Sequence, residues 1–302
     1  MSSIQAYTPR SLKSAFRRKR EKQPSNTNQY EKMDPTKRRS KPITAHYSTG
    51  LQFSKQDEEA EKQRTLRVLK IQSSVKNKYV MDVKSLKSKL NGFSIIKNRP
   101  VASIEELGQR QKLDQRDIAY ICKSVTKGIK ALRNKNIVHR NIKGESIKVM
   151  GNGRVKIGDF GKATFKKNLA QDGKRFIGTF GYVDPAGEIL YTVKMDTYAI
   201  GTLAMELALG RREPPQPTCD SFAYYPDDWK LSKKRRNDLV LLLKQDMNVF
   251  GFLLDFVECC SQTNVSTKEI LKHPFIKLAH RSKKDFLWNV MVNRDDKFVK
   301  QK

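Results

Sequence analysis

Two short stretches of this chain carry side chains whose types and spacing could do chemistry together. His139-Arg140-Asn141-Ile142-Lys143-Gly144-Glu145-Ser146 follows the apolar pair Ile137-Val138, and Asp159-Phe160-Gly161 follows Val155-Lys156-Ile157-Gly158. The two plainly chemical groups are the carboxylate of Asp159, a hard oxygen donor suited to Mg2+, and the ammonium of Lys143. Asn141 offers an amide, which donates and accepts hydrogen bonds but takes up no proton at neutral pH. Ser146 offers a hydroxyl, a poorer metal ligand than an amide oxygen or a carboxylate.

Local patterning supplies the elements that must position these groups. Asp114 opens a long helix with Ile118, Ile121, Val125, Ile129 and Leu132 on one face, leading directly into the first stretch. Strand-like residues 147–150 and 155–157 flank Gly151-Asn152-Gly153, a tight hairpin joining the two stretches. Further upstream, residues 42–47 look extended, and residues 54–72 read as an amphipathic helix. Residues 79–83 and 93–96 are strand candidates around the turn Asn91-Gly92. Ser103-Ile104-Glu105-Glu106 has the form of a capping box. Downstream, apolar helices are expected at 197–209, 239–243, 250–260 and 267–271, and no repeat of 20 to 50 residues is visible.

Taken in order, these motifs resemble a protein kinase. The first stretch is similar to the catalytic loop H-R-D-x-K-x-x-N, and the second is the D-F-G motif. Gly178-Thr179-Phe180-Gly181-Tyr182-Val183-Asp184-Pro185 resembles the end of an activation segment. Asp196-Thr197-Tyr198-Ala199-Ile200-Gly201 resembles the start of the central helix, and Glu269-Ile270-Leu271-Lys272-His273-Pro274-Phe275 the closing helix. Lys143 two residues beyond the altered position is the serine/threonine-type arrangement, while the Gly-Thr-Phe-Gly-Tyr string leans toward the tyrosine-kinase-like group. A narrower similarity links Asn141, Phe93-Ser94-Ile95-Ile96 and the helix start at Ser103 to mixed-lineage kinase-like pseudokinases. The resemblance implies an α+β, bilobal, protein-kinase-like fold with a small degenerate β-rich N-lobe and a mainly helical C-lobe.

The resemblance also assigns roles. The loop aspartate, which accepts the proton of the attacking hydroxyl, is Asn141 here, and the metal-binding asparagine is Ser146. Losing a general base costs about 10² to 10⁴ in rate. Arg140 would pair with a phosphorylated or acidic group in the activation segment, where Thr164 and Thr179 are candidate regulatory sites. His139 and Phe160 would stack, and Asp196 would accept backbone N–H bonds from the loop. The family's Pro-Glu at the segment end is Pro185-Ala186, and the arginine that would bury that glutamate falls on Asn264, so both partners of one buried pair are lost. Glu188 is the alternative occupant of the glutamate slot. On the nucleotide side the first glycine is Gly50, so no glycine-rich loop precedes the lysine-bearing strand. Two registers stay open: the strand at 42–47 puts the lysine slot near Ala45 with Glu61 beyond it, and the strand at 50–55 makes Lys55 the ATP-contacting lysine. ATP and Mg2+ are the cofactors if a nucleotide binds, and in the first register none is expected.

Charge and composition bound the rest. The 302 residues carry a formal net charge of +30 with 37% hydrophobic content, which predicts attraction to anionic partners but says nothing of fold. Residues 1–40 hold Arg17-Arg18-Lys19-Arg20 and Lys37-Arg38-Arg39 with few apolar residues, and read as a disordered basic arm. Those clusters fit a solvated tail as well as a nuclear-import or nucleic-acid segment. The expected division is an arm at 1–40, an N-lobe at 41–100, a C-lobe at 101–280 and a basic tail at 281–302. No apolar run long enough for a membrane span or secretory signal is present, so an intracellular, cytoplasmic or nuclear, protein is expected. The four cysteines and four histidines form no metal or disulfide pattern, and Cys122 and Cys259 or Cys260 are expected in the core. The leading expectation is a pseudokinase, an enzyme homologue inactive or strongly impaired, regulating or scaffolding protein partners such as an active kinase or its substrate. The alternatives are a divergent active serine/threonine kinase and a nucleic-acid or acidic-partner binder acting through the arm.

Overall fold

The amphipathic stretch after Asp114 is the axis around which the chain is built. In the computed structural model the described residues are 43–46, 65–89, 92–97, 100–172, 176–184, 192, 194–210, 218–219, 226–245, 251–262, 264–287 and 290. The basic arm, Gly50, Lys55, Glu61, Pro185, Ala186 and Glu188 lie outside them.

A small antiparallel sheet comes first, in the order β1 (Ile43–His46), β3 (Gly92–Lys97), β2 (Val83–Lys89), with Ala45 opposite Ile95 and Lys89 opposite Gly92. The strand at Ile43–His46 falls within the expected extended stretch at 42–47, while residues 50–55 of the second register lie outside the described residues. The accompanying helix, α1, is described over residues 65–73, with Leu69 and Ile71 buried. The strand expected at residues 79–83 instead begins at Val83. Asn77 holds a turn by accepting from the Tyr79 N–H at 2.9 Å, and Tyr79 and Met81 then exchange two 2.8 Å backbone bonds with Ile157. That stretch is therefore a bridge to the hairpin beneath the site.

The second sheet orders β4 (Pro100–Ser103), β6 (Ile147–Met150) and β7 (Val155–Ile157), the last two forming the expected hairpin. Ser103 starts α2 (Ile104–Arg110) with a complete capping box. Asp114 does the same for α3 (Gln115–Arg133), accepting from the Asp117 N–H at 2.8 Å. Ile118, Ile121, Cys122, Val125, Ile129 and Leu132 are all buried on α3, each such aliphatic side chain contributing about 1.5 to 3 kcal/mol.

The two-residue strand β5 (Ile137–Val138) pairs with β8 (Thr164–Phe165), and β9 (Gly178–Thr179) with β10 (Thr218–Cys219). Helix α4 (Met195–Leu209) is buried on nearly every side, as an apolar helix without a polar face must be. It packs against α3, α5 (Pro226–Gln245) and α6 (Gly251–Ser261), and α7 (Thr267–Lys272) and α8 (Pro274–Lys277) pack on α3 and α6, followed by α9 (Lys283–Leu287). Cys122 and Cys260 are buried core residues on α3 and α6. The last helices dock on the start of α3, where the His280 ring nitrogen lies 2.9 Å from an Asp117 carboxylate oxygen and Phe286 stacks on Tyr120. The arrangement is the expected one, a small sheet-containing region followed by a mainly helical one. No helix among the described residues is long and apolar enough to cross a membrane.

Candidate active site

The loop that carries Asn141 is held from below. Asp196, buried in the first turn of α4, accepts from the backbone N–H groups of His139 at 2.8 Å and Arg140 at 2.9 Å. A carboxylate at a helix N-terminus is favourably placed, and hydrogen bonds to a charged acceptor are among the stronger ones. His139 Nε2 lies 2.8 Å from the Gly158 carbonyl, so Nε2 carries the proton and the buried Nδ1 has no partner. Its ring meets Phe160 edge-on with centroids 5.0 Å apart. Arg140 takes a left-handed backbone at φ 66° and donates from Nε to the Lys162 carbonyl at 2.6 Å, tying the loop to the residues after Asp159.

Above that support the chemical groups face one another. The Asn141 amide is buried; its Nδ2 donates to Asp159 Oδ2 at 3.2 Å, and its Oδ1 accepts from the Thr179 hydroxyl at 3.0 Å. One side chain therefore bridges the start and the end of the segment between Asp159 and Thr179. Lys143 is paired with Glu145 at 2.5 Å, which leaves Glu145 facing the lysine and not Asn141. Ser146 is fully buried: its hydroxyl donates to the Lys143 carbonyl at 2.9 Å and accepts from the Lys143 N–H at 3.0 Å, closing a 3-10 turn. Behind the loop, burial and then the charge of Glu145 push the Glu105 carboxyl up, with Lys143 opposing.

Mg2+ would need oxygen donors here, and the donor set does not make a full site. Asp159 is exposed, but the Ser146 hydroxyl is spent on its own turn and the Asn141 oxygen on Thr179. Elsewhere, Asp114, Asp117 and His280 bring ligand atoms within 4.8 Å of one another. Both carboxylates already cap α3, and His280 is bonded to Asp117, so that grouping has a structural use.

The two candidate regulatory hydroxyls are both buried, Thr164 at 4% exposure within β8 and Thr179 at 3% on Asn141. Neither hydroxyl is exposed in this conformation. Glycine is required beside Thr179. Gly178 has φ 148°, and a Cβ there would lie 2.3 Å from a Val183 methyl and 3.2 Å from the Arg140 carbonyl.

Beneath the segment end is a polar layer that the sequence reading did not anticipate. The Tyr182 hydroxyl donates to Glu206, which also accepts from Arg235 at 2.7 Å. Burial and then Glu206 hold the Tyr182 phenol well above its ordinary range, so it remains a donor. Ser232 accepts from the Gly181 N–H at 3.0 Å and donates to the Val183 carbonyl at 3.2 Å, and Thr202 donates to the Gly181 carbonyl at 2.7 Å. Extending the face of Leu243 and Leu239 backward by helical steps lands on Arg236 and Ser232, all four of which are buried; that spacing was the available signal. Asn264 is exposed and accepts from Lys194 at 2.7 Å.

The model of the protein kinase domain family matches residues 48–276. The chain is 31% identical over 193 residues to the serine/threonine-protein kinase dst2 of Dictyostelium discoideum, covering 58% of this chain and 15% of that protein. It is 28% identical over 183 residues to the serine/threonine-protein kinase PAK 5 of Rattus norvegicus, with 59% and 24% covered. With Aurora kinase C of Mus musculus the identity is 27% over 175 residues, covering 57% and 60%. The matches thus span less than two thirds of each of these relatives.

Proposed function

Because the chain belongs to the protein kinase superfamily, we propose that it is a pseudokinase, a kinase fold that regulates or scaffolds protein partners with little or no phosphoryl transfer. The observation that carries this reading is the Asn141 amide, bonded at once to Asp159 and Thr179 where a kinase needs a proton acceptor. An amide there cannot take the proton of an attacking hydroxyl, a loss of about 10² to 10⁴ in rate. Kinase domains as a family use ATP and Mg2+. Among the described residues of the loop and the D-F-G stretch, the exposed Asp159 carboxylate is the group that would hold the cation.

The partners that suit this reading are proteins that dock on a kinase-shaped surface, an active kinase or its substrate among them. A thermal-shift titration with ATP and Mg2+ tests it. The expected result is no nucleotide-dependent rise in melting temperature beyond that of the Asp159→Ala variant. A large rise that Asp159→Ala abolishes, together with phosphate incorporation into protein, would establish the divergent serine/threonine kinase instead. The net charge of +30 supports a second, additive role in binding anionic partners through residues 1–40. Nucleic-acid affinity that falls steeply with salt, and falls further on deleting residues 1–40, is the outcome expected of that role.

A further inference from the structure

Tyr79 is held directly on α3 by a close backbone approach. A Cβ at Gly128, in the interior of that helix, would lie 2.6 Å from an Ile157 methyl and 3.1 Å from the Tyr79 carbonyl. Glycine weakens a helix interior, and this one admits a turn whose backbone is fixed by Asn77 and Ile157. So placed, the Tyr79 ring has the ammonium groups of Lys78 and Lys127 each 5.4 Å from its centroid, and Lys127 also donates to the Tyr79 hydroxyl at 3.3 Å. Two like charges therefore share one ring. Lys127 is also one member of a row: Arg116, Tyr120, Lys123, Lys127 and Lys130 follow at i, i+4, i+7, i+11 and i+14 on α3, and all five are exposed or half-buried. The row is about 21 Å long, with neighbouring side chains about 5 to 6 Å apart. No acid falls on it, since the one carboxylate within α3 is the buried Asp117. Lys143, Lys156 and Arg235 each have a carboxylate partner, but among the described residues none forms an ion pair with Lys78, Arg116, Lys123, Lys127 or Lys130.

We propose that this face of α3, extended by Lys78 and Tyr79, is a docking surface for an acidic α-helix of a partner protein, which lies along α3 with carboxylates at the same helical intervals. Fixed charges spaced along a rigid rod are matched by opposite charges repeated at that spacing on a second helix, as on the flanks of paired helices. A nucleic acid suits the face less well. The Tyr79 ring is engaged by its own two ammonium groups and the Tyr120 ring by Phe286, so neither is a free platform for a base. The inference rests on the reading of this chain as a binder of protein partners and names a surface and a partner chemistry for it. Docking here involves no ATP, so phosphate transfer by the chain would leave it untouched.

Fluorescence anisotropy on the full chain near physiological ionic strength tests this with three probes. The first is a labelled helical peptide with glutamates at i, i+4, i+7 and i+11, the second the same residues reordered so that the glutamates face all sides, and the third a short DNA duplex. The first should bind more tightly than either of the others. Lys123→Glu with Lys127→Glu should weaken it by about tenfold or more, since like charges then face each other. Lys268→Glu with Lys272→Glu, which changes the same charge at exposed positions on α7, should weaken it by less than about threefold. If Lys127→Glu lowers the melting temperature, Lys123→Gln with Lys130→Gln decides, because it leaves the contact of Lys127 with Tyr79 in place; it should weaken the first peptide more than Lys268→Gln with Lys272→Gln does. Equal losses in the α3 and α7 variants would reduce the effect to net charge, and a loss seen only on deleting residues 1–40 would assign it to the arm. Tighter binding of the duplex that the α3 variant abolishes would make the face a nucleic-acid surface. Any of these three results, or failure of the first peptide to bind, would overturn the proposal.

Discussion

The support of the catalytic loop and the loop's own chemical face lie only a few ångströms apart and are wired differently. In the support, Asp196 serves two backbone N–H groups and Phe160 meets the His139 ring, as the kinase resemblance implies, and His139 also serves the Gly158 carbonyl. On the chemical face, Asn141, Lys143 and Ser146 spend their polar atoms on neighbours within the protein: Asp159 and Thr179, Glu145, and the backbone of Lys143. Buried polar groups must be satisfied in either case. On the proposed pseudokinase reading, the fold keeps the constraint of satisfaction while the constraint of reacting with a substrate lapses.

Substitutions on the two sides should therefore behave unequally. Asp196→Ala, which strands two buried N–H donors at once, should cost roughly 3 kcal/mol or more in a urea unfolding series. If it costs no more than a substitution at Asn141, the division between support and chemical face fails. Asn141→Leu breaks two hydrogen bonds to neutral or partly exposed partners and should cost about 1 to 2 kcal/mol while loosening the segment at Thr179. Ser146→Ala should cost about 1 kcal/mol in the same measurement, with no change in ATP affinity, because its hydroxyl closes a turn. A Ser146→Ala variant that loses Mg2+-dependent nucleotide affinity would move Ser146 to the chemical face.

Glu105 should give the smallest effect, and one that depends on pH. Burial and then Glu145 raise its folded pKa, so the folded state holds a proton at pH values where the unfolded chain has released it. Its cost to stability is absent below the unfolded carboxyl range and fully present above the raised folded value. Glu105→Gln should accordingly stabilise the protein at neutral pH and lose that advantage as the pH falls through the carboxyl range. The same stabilisation at every pH would mean that the charge of Glu105 is not the cause.

Much of the support was legible because its signals are local. The capping residues Ser103 and Asp114, the hairpin at Gly151-Asn152-Gly153 and the apolar face of α3 each follow from a few neighbouring residues. The slots of Asn141, Asp159 and Asp196 were legible from motif order. Three features were not. The stretch from Tyr79 to Met81 has the composition of a strand, but its hydrogen bonds go to Ile157, far along the chain. Most of α5 was hidden by the run Lys233-Lys234-Arg235-Arg236, which reads as solvated charge, although Arg236 points into the core. The partners of Asn141 depend on how the segment ending at Thr179 folds back, which no spacing within the catalytic loop encodes.

Transfer of radiolabelled phosphate from ATP to protein, compared between the wild-type chain, Asn141→Asp and Asp159→Ala, tests the central claim most directly. The expected result is incorporation by the wild type indistinguishable from that of Asp159→Ala. A signal in Asn141→Asp alone would identify the amide as the principal block. Wild-type incorporation well above the Asp159→Ala background would contradict the proposal and make this chain a working kinase.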